Sequence, residues 1–205
     1  MGQLNDAESR AIRQWDLALQ GWKKENGVGG GALLSEGVLF DCLSRLHGIV
    51  TDVLKSEKAV PYFLDLAAQR PKKASKAFQA ALKTDPSLTE ARFRDARIRA
   101  EKDLDARKEL ERLSSQTGLI AYLAAMSRAE TASRLNDANG AQRWYERATT
   151  LLPNAPAPRV GLAAALAPGG PIPFDSLDST DPYYSYPCVV LTDPVRAELS
   201  RRSGK

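Results

Sequence analysis

The chain has 205 residues, 43% hydrophobic and 26% charged, the balance of a globular protein of one or two domains; wholesale disorder, a collagen repeat and a disulfide-dense miniprotein are excluded. No run approaches the ~18–20 consecutive apolar residues of a membrane-spanning helix. Lys and Arg number 29 against 25 Asp and Glu, +4 net, too small an excess to imply nucleic acid by itself.

Residues 5–24 open with a helical stripe of Ala11, Ile12, Trp15, Leu17, Ala18, Leu19 and Trp22, capped by Asn5 or Asp6. Trp15 and Trp22 lie seven apart on one face and read as core, with a dimer seam as the alternative. The start is polar and lacks the apolar stretch of a secretory signal. Helical patterning begins so soon after Met1-Gly2 that a start appended to a mature domain is one expectation; cytoplasmic and exported origins both stay open. Gly27 and Gly29–Gly31 follow no strand pattern and lack a Gly-Lys-Ser/Thr ending, so they read as a flexible connector and not a phosphate loop. A second helix is expected over 33–55, from Val38, Leu39, Cys42, Leu43, Leu46, Ile49, Val50, Val53 and Leu54. Beyond it, helices are expected at 57–69, 73–84, 88–102, 105–115, 119–135, 138–152 and 156–167, rich in Ala, Leu, Arg, Glu and Gln. No segment alternates as a strand does, and the class is all-α.

Residues able to do chemistry are few. His47 is the single histidine, and Cys42 and Cys188 are the two cysteines, too scattered for a structural zinc site. Cys42 and His47 sit five apart, about 140° around a helix, so they do not form a nucleophile–base pair on one face. The cysteines form either one disulfide in an oxidising compartment or two separate thiols. Gly-x-Ser-x-Gly and His-Glu-x-x-His motifs are absent. No catalytic, cofactor-binding or metal-binding residue is expected, and no cofactor. An all-α hydrolase with paired carboxylates would need an acid in a pKa-raising setting, and none is recognisable.

Three stretches superimpose. Ala74, Phe78, Ala81 and Leu82 precede Pro86; Ala141, Tyr145 and Ala148 precede Pro153; Ala106, Leu110 and Leu113 precede Gly118. Each places a small residue, an aromatic or Leu four later and a small residue or Leu three after that, on one helix face. Small residues let a neighbouring helix approach, and the aromatic fills the space between pairs. The pattern resembles the tetratricopeptide repeat, a 34-residue helix–turn–helix unit, over about residues 57–167. Ala96, Ala129 and Ala163 stand where that family has a small residue at its eighth position. The family's Trp is absent, with Arg92, Ala125 and Arg159 in its place, and Pro61 and Tyr62 mark the first unit as distorted or not a true repeat.

The resemblance implies a concave groove formed by the first helix of each pair. Phe93, Leu123, Met126 and Val160 would form its apolar floor, with Arg97 and Glu130 as polar guides; Glu90, Ala100, Glu101, Ser133, Arg134 and Ala157 complete the lining. These are the candidate partner-binding residues, for an amphipathic helix or an extended peptide; the alternative is that the tail or the N-terminal helices cover the same side chains and leave no free groove. Of the positions in the family's carboxylate clamp for chaperone tails, only Arg97 is counted as fitting, so that partner class is not expected. The series Arg92, Arg94, Arg97 and Arg99 is interleaved with Glu90, Asp95, Glu101, Asp103 and Asp105 and reads as a solvated, ion-paired surface and not a phosphate-binding face.

The tail opens with Pro168-Gly-Gly-Pro-Ile-Pro and continues through Asp181-Pro182-Tyr183-Tyr184-Ser185-Tyr186-Pro187 to Val189-Val190-Leu191. Its tyrosines and aliphatics predict packing on the helical body as a cap, with a short helix near 193–201; a ligand arm for another protein is the alternative. The organisation expected is a helical pair at 1–56, a repeat array at 57–167 and a Pro/Tyr-rich tail at 168–205. The function expected is a non-enzymatic protein-interaction scaffold, the runner-up an accessory or docking domain of a larger exported or enzyme-containing assembly. Partner, compartment and oligomeric state are not legible.

Overall fold

A computed structural model describes residues 17, 20, 29–53, 60–166 and 181–186. Among them every regular element is a helix and none is a strand: α1 Gly30–Val53, α2 Val60–Thr84, α3 Thr89–Arg99, α4 Leu104–Ser114, α5 Leu119–Arg134, α6 Ala138–Leu151, α7 Ala157–Leu166 and the single turn α8 Pro182–Ser185. The chain divides into two compact units, residues 1–91 and 92–205. The fold is all-α.

In the first unit α1 packs along α2. Ala32, Leu34 and Val38 are buried from α1, and Ala74, Ala77, Phe78 and Ala81 from α2. Gly37 is the point of closest approach, since a Cβ there would lie 2.3 Å from the Phe78 ring. Two expectations need correction. Gly30 and Gly31 belong to the first turn of α1 and not to a connector. The Gly29 carbonyl accepts the Ala32 and Leu33 N–H groups, and a side chain on Gly30 would crowd Leu88 and Asp85. The break expected at Pro71 is also absent: Val60–Thr84 is one helix with Pro71 inside it. Proline removes one N–H and strains one turn, but the buried face Ala74–Ala81 on α1 offsets that cost. Cys42 is disulfide-bonded; Cys188 lies outside the described residues. Apart from Leu17 and Gln20, which are helical, the helix expected at 5–24 also lies outside them, as do both of its tryptophans, the His47 side chain and the terminal helix expected at 193–201. Leu17, assigned to the apolar stripe, is exposed.

In the second unit α5 packs against α4 on one side and α6 on the other, and α7 against α6 and α5. Helix starts follow local chemistry. The Asp103 carboxylate accepts the N–H groups of Asp105 and Ala106 and begins α4. The Ala106 N–H first, then the Asp105 N–H and the Arg99 guanidinium, hold that carboxyl below its ordinary range. Asp137 caps α6 through the Gly140 N–H. Gly118 precedes α5 at φ +86° and ψ −174°, a conformation nearly confined to glycine; this is why glycine stands where the repeat pattern expects proline.

All three superimposed triplets face inward. Ala74, Phe78 and Ala81, Ala106, Leu110 and Leu113, and Ala141, Tyr145 and Ala148 are each buried. Ala96 and Ala129 are buried too, whereas Ala163 is exposed. That reversal has a simple geometry: α7 buries only Ala157 and Pro158 of its first turn. Gly161 on α7 sits against Tyr145, and a Cβ there would meet the ring at 2.2 Å. We expect Gly161→Ala to separate α6 from α7 and to cost about 1–3 kcal/mol, read as a lower midpoint in thermal circular dichroism; an unchanged midpoint would refute that close contact.

Candidate peptide-binding face

α3 and α5 place three of the sequence-predicted groove residues in one cluster. Phe93, Leu123 and Met126 are buried. Arg97, Glu130 and Val160 are half-buried. Glu101 and Arg134, expected to line the groove on neighbouring first helices, form an ion pair. A cleft of about 420 Å³ opens farther along, between the end of α5, α6 and α7, lined by Ser133, Ala141, Tyr145, Gly161 and Ala165 among others.

At Phe93 the predicted floor is covered by the chain's own segment Asp181–Tyr186. Tyr186 is fully buried, its ring 5.6 Å from that of Phe93 and 5.8 Å from that of Tyr183. Tyr183 lies in the same cluster as Leu123 and Met126. The Asp181 carboxylate, 1% exposed, is held by three donors. Its Oδ1 accepts the Tyr122 hydroxyl at 2.9 Å and the Tyr183 N–H at 2.8 Å. Its Oδ2 accepts the Ala157 N–H at 2.9 Å and the same hydroxyl at 3.2 Å. Ala157 is the first residue of α7, so the negative charge rests where free N–H groups and the helix dipole favour an anion.

Arg94 anchors the other end. Its guanidinium donates to the Tyr186 carbonyl at 2.8 Å and lies 5.3 Å from the centre of the Tyr186 ring. It is fully buried, which corrects its place in the solvated arginine series. Arg99 does behave as expected, pairing with Asp95 and Asp103, and Arg92 lies 3.6 Å from Glu109. Alternation with acids is a local signal and anticipated the Arg99 pairs, but Glu90 and Asp95 of the same series are buried and not solvated, and the partner of Arg92, Glu109, lies outside the alternation. Arg94 is claimed by a residue 92 positions away, which local pattern does not encode.

Arg94, Tyr122, Asp181 and Tyr186 are therefore the residues that sequence reasoning missed as a set. One signal was available: Asp181 followed by Pro182 is a helix-start signature, and Asp181 does cap α8. The arrangement holds a carboxylate, a peptide carbonyl and an aromatic ring of the chain's own tail at fixed spacing. Among the described residues no group of His, Cys, Asp or Glu is arranged to hold a metal ion, and no helix is long and apolar enough to cross a membrane. No protein-family model matches the chain, and no curated protein and no solved structure matches it.

Proposed function

We propose that this chain is a non-enzymatic protein-interaction module, a helical scaffold of tetratricopeptide-like construction that holds a peptide or helix of a partner on its α3–α5–α7 face. One observation carries this proposal. The face already holds six consecutive residues of polypeptide through a buried carboxylate, a backbone carbonyl and stacked rings. Those are the contacts by which a groove reads a peptide, backbone for affinity and side chains for selectivity. The three inward triplets support the repeat construction.

The test is selection of random peptides displayed on phage against the full chain, repeated with Arg97→Glu/Glu130→Arg. Both substituted positions are only half-buried, so the variant should keep the wild-type helical circular dichroism. Peptides captured by the wild type and lost by this variant support the module; capture indifferent to both changes contradicts it, as does no capture by either the wild type or the full chain carrying Asp181→Ala/Tyr186→Ala.

The runner-up is an accessory or docking domain of a larger exported or enzyme-containing assembly; its exported form is favoured by one observation, the disulfide at Cys42, since disulfides persist in oxidising compartments. Protein purified without reductant should then show no Cys42 thiol by alkylation and mass spectrometry, and full alkylation after reduction. A freely alkylated Cys42 before reduction would contradict this.

A further inference from the structure

Resting on that proposal, we infer that the partner is a segment presenting a carboxylate, an aromatic two residues on and a second aromatic five residues on, and that Asp181–Tyr186 is its built-in competitor. Each requirement follows from a seat already filled. The carboxylate seat is the Tyr122 hydroxyl with the Ala157 N–H at the head of α7. The aromatic seats are those now taken by Tyr183 and Tyr186, the latter between the Phe93 ring and the Arg94 guanidinium. The Arg94–carbonyl bond fixes register and is indifferent to side-chain identity. Spacing follows from α8: the Tyr186 N–H bonds to the Pro182 carbonyl, and Asp181 caps the Tyr183 N–H. One helical turn therefore sets carboxylate against ring, and a ligand must form that same turn.

A tethered segment competes at an effective concentration on the order of millimolar, so a ligand from outside meets an apparent affinity reduced by the fraction of time the face is empty. Loosening the tail should therefore tighten binding in trans, which a segment that merely completes the core would not do.

The test uses a fluorescein-labelled peptide of residues 180–187 and fluorescence anisotropy. The partners are the full wild-type chain and the full chain carrying Asp181→Ala/Tyr186→Ala. We expect the double variant to bind at least ~10-fold more tightly than the wild type. The gain should vanish when the peptide's own aspartate is replaced by alanine, or when Arg94→Gln is added to the protein. A folded double variant that binds no better than the wild type overturns the inference. If it still captures library peptides lost on Arg97→Glu/Glu130→Arg, the module survives and only this ligand class fails; if it captures none, both fail. A double variant that does not fold overturns it too, since the segment is then core. Wild-type hydrogen exchange decides independently of any variant. The Tyr183 and Tyr186 amides should exchange while α5 stays protected, and exchange only together with α5 overturns the inference. A wild-type mass doubled in light scattering, with the peptide dissociating the dimer, gives the face to a second copy and overturns a foreign partner.

Discussion

Asp181→Ala should lower the unfolding free energy by about 3 kcal/mol, because it strands the Tyr122 hydroxyl and the Ala157 and Tyr183 N–H groups at roughly 1–3 kcal/mol each, less what water recovers. All three donors now end on one carboxylate that is 1% exposed. Asp181→Asn should fall between, since one carbonyl oxygen replaces two acceptors and its amide faces donors. Urea unfolding followed by circular dichroism reads both. The loss has a ceiling. If the segment can leave the face while the helices stand, no substitution within it can cost more than the free energy of docking it. Asp181→Ala and Tyr186→Ala combined should then cost less than their sum, a non-additivity expected of residues serving one event. Strict additivity of two large losses, or a loss for Asp181→Ala below about 0.5 kcal/mol, would show that the carboxylate seat is not formed as described.

Phe93→Ala should be the more damaging change, at about 3–5 kcal/mol, the usual cost of deleting a fully buried ring. Phe93 is 0% exposed and belongs both to the scaffold, with Ala96, Ala100 and Leu110, and to the seat, against Tyr186. Its loss is therefore not limited by release of the tail. A double-mutant cycle with Tyr186→Ala isolates the shared part, about 0.5–1.5 kcal/mol for an aromatic pair. Zero coupling would contradict the ring contact. Placing glutamate at Phe93 and Met126 is a poor probe of the face, since both side chains are buried and two unpaired carboxylates there would act on the whole unit.

Much of the helical body was legible because its signals are local. Residues such as Ala141, Tyr145 and Ala148 repeat a helical spacing that needs no knowledge of what they touch, and they are buried as that spacing requires. Phe93, Leu123 and Met126 were grouped by what the repeat resemblance implies, and they belong to one buried cluster. Where local rules compete with packing, packing prevailed. Pro71 should end a helix by its missing N–H, yet α2 continues because the face that follows is anchored on α1. Gly30 and Gly31 read as flexible by type, yet Gly30 is buried beside Leu88 and Asp85.

The occupied face was the least legible part, for a physical reason. Tyr122 and Asp181 are 59 positions apart, and Arg94 and Tyr186 are 92; neither pair leaves a periodic trace. Composition foretold that a tyrosine-bearing tail would pack. Coverage of the groove residues by the tail was an open alternative to a free groove; what was not legible is that Arg94 would leave the solvated series to hold the tail there.

The most direct measurement is the nuclear Overhauser contact between the Phe93 and Tyr186 rings in the intact, isotope-labelled chain. Ring centres 5.6 Å apart predict strong cross-peaks between the two side chains, with a slowly exchanging Tyr122 hydroxyl proton beside Asp181. Random-coil shifts for residues 181–186, with no cross-peak to Phe93, would contradict a face that holds its own peptide.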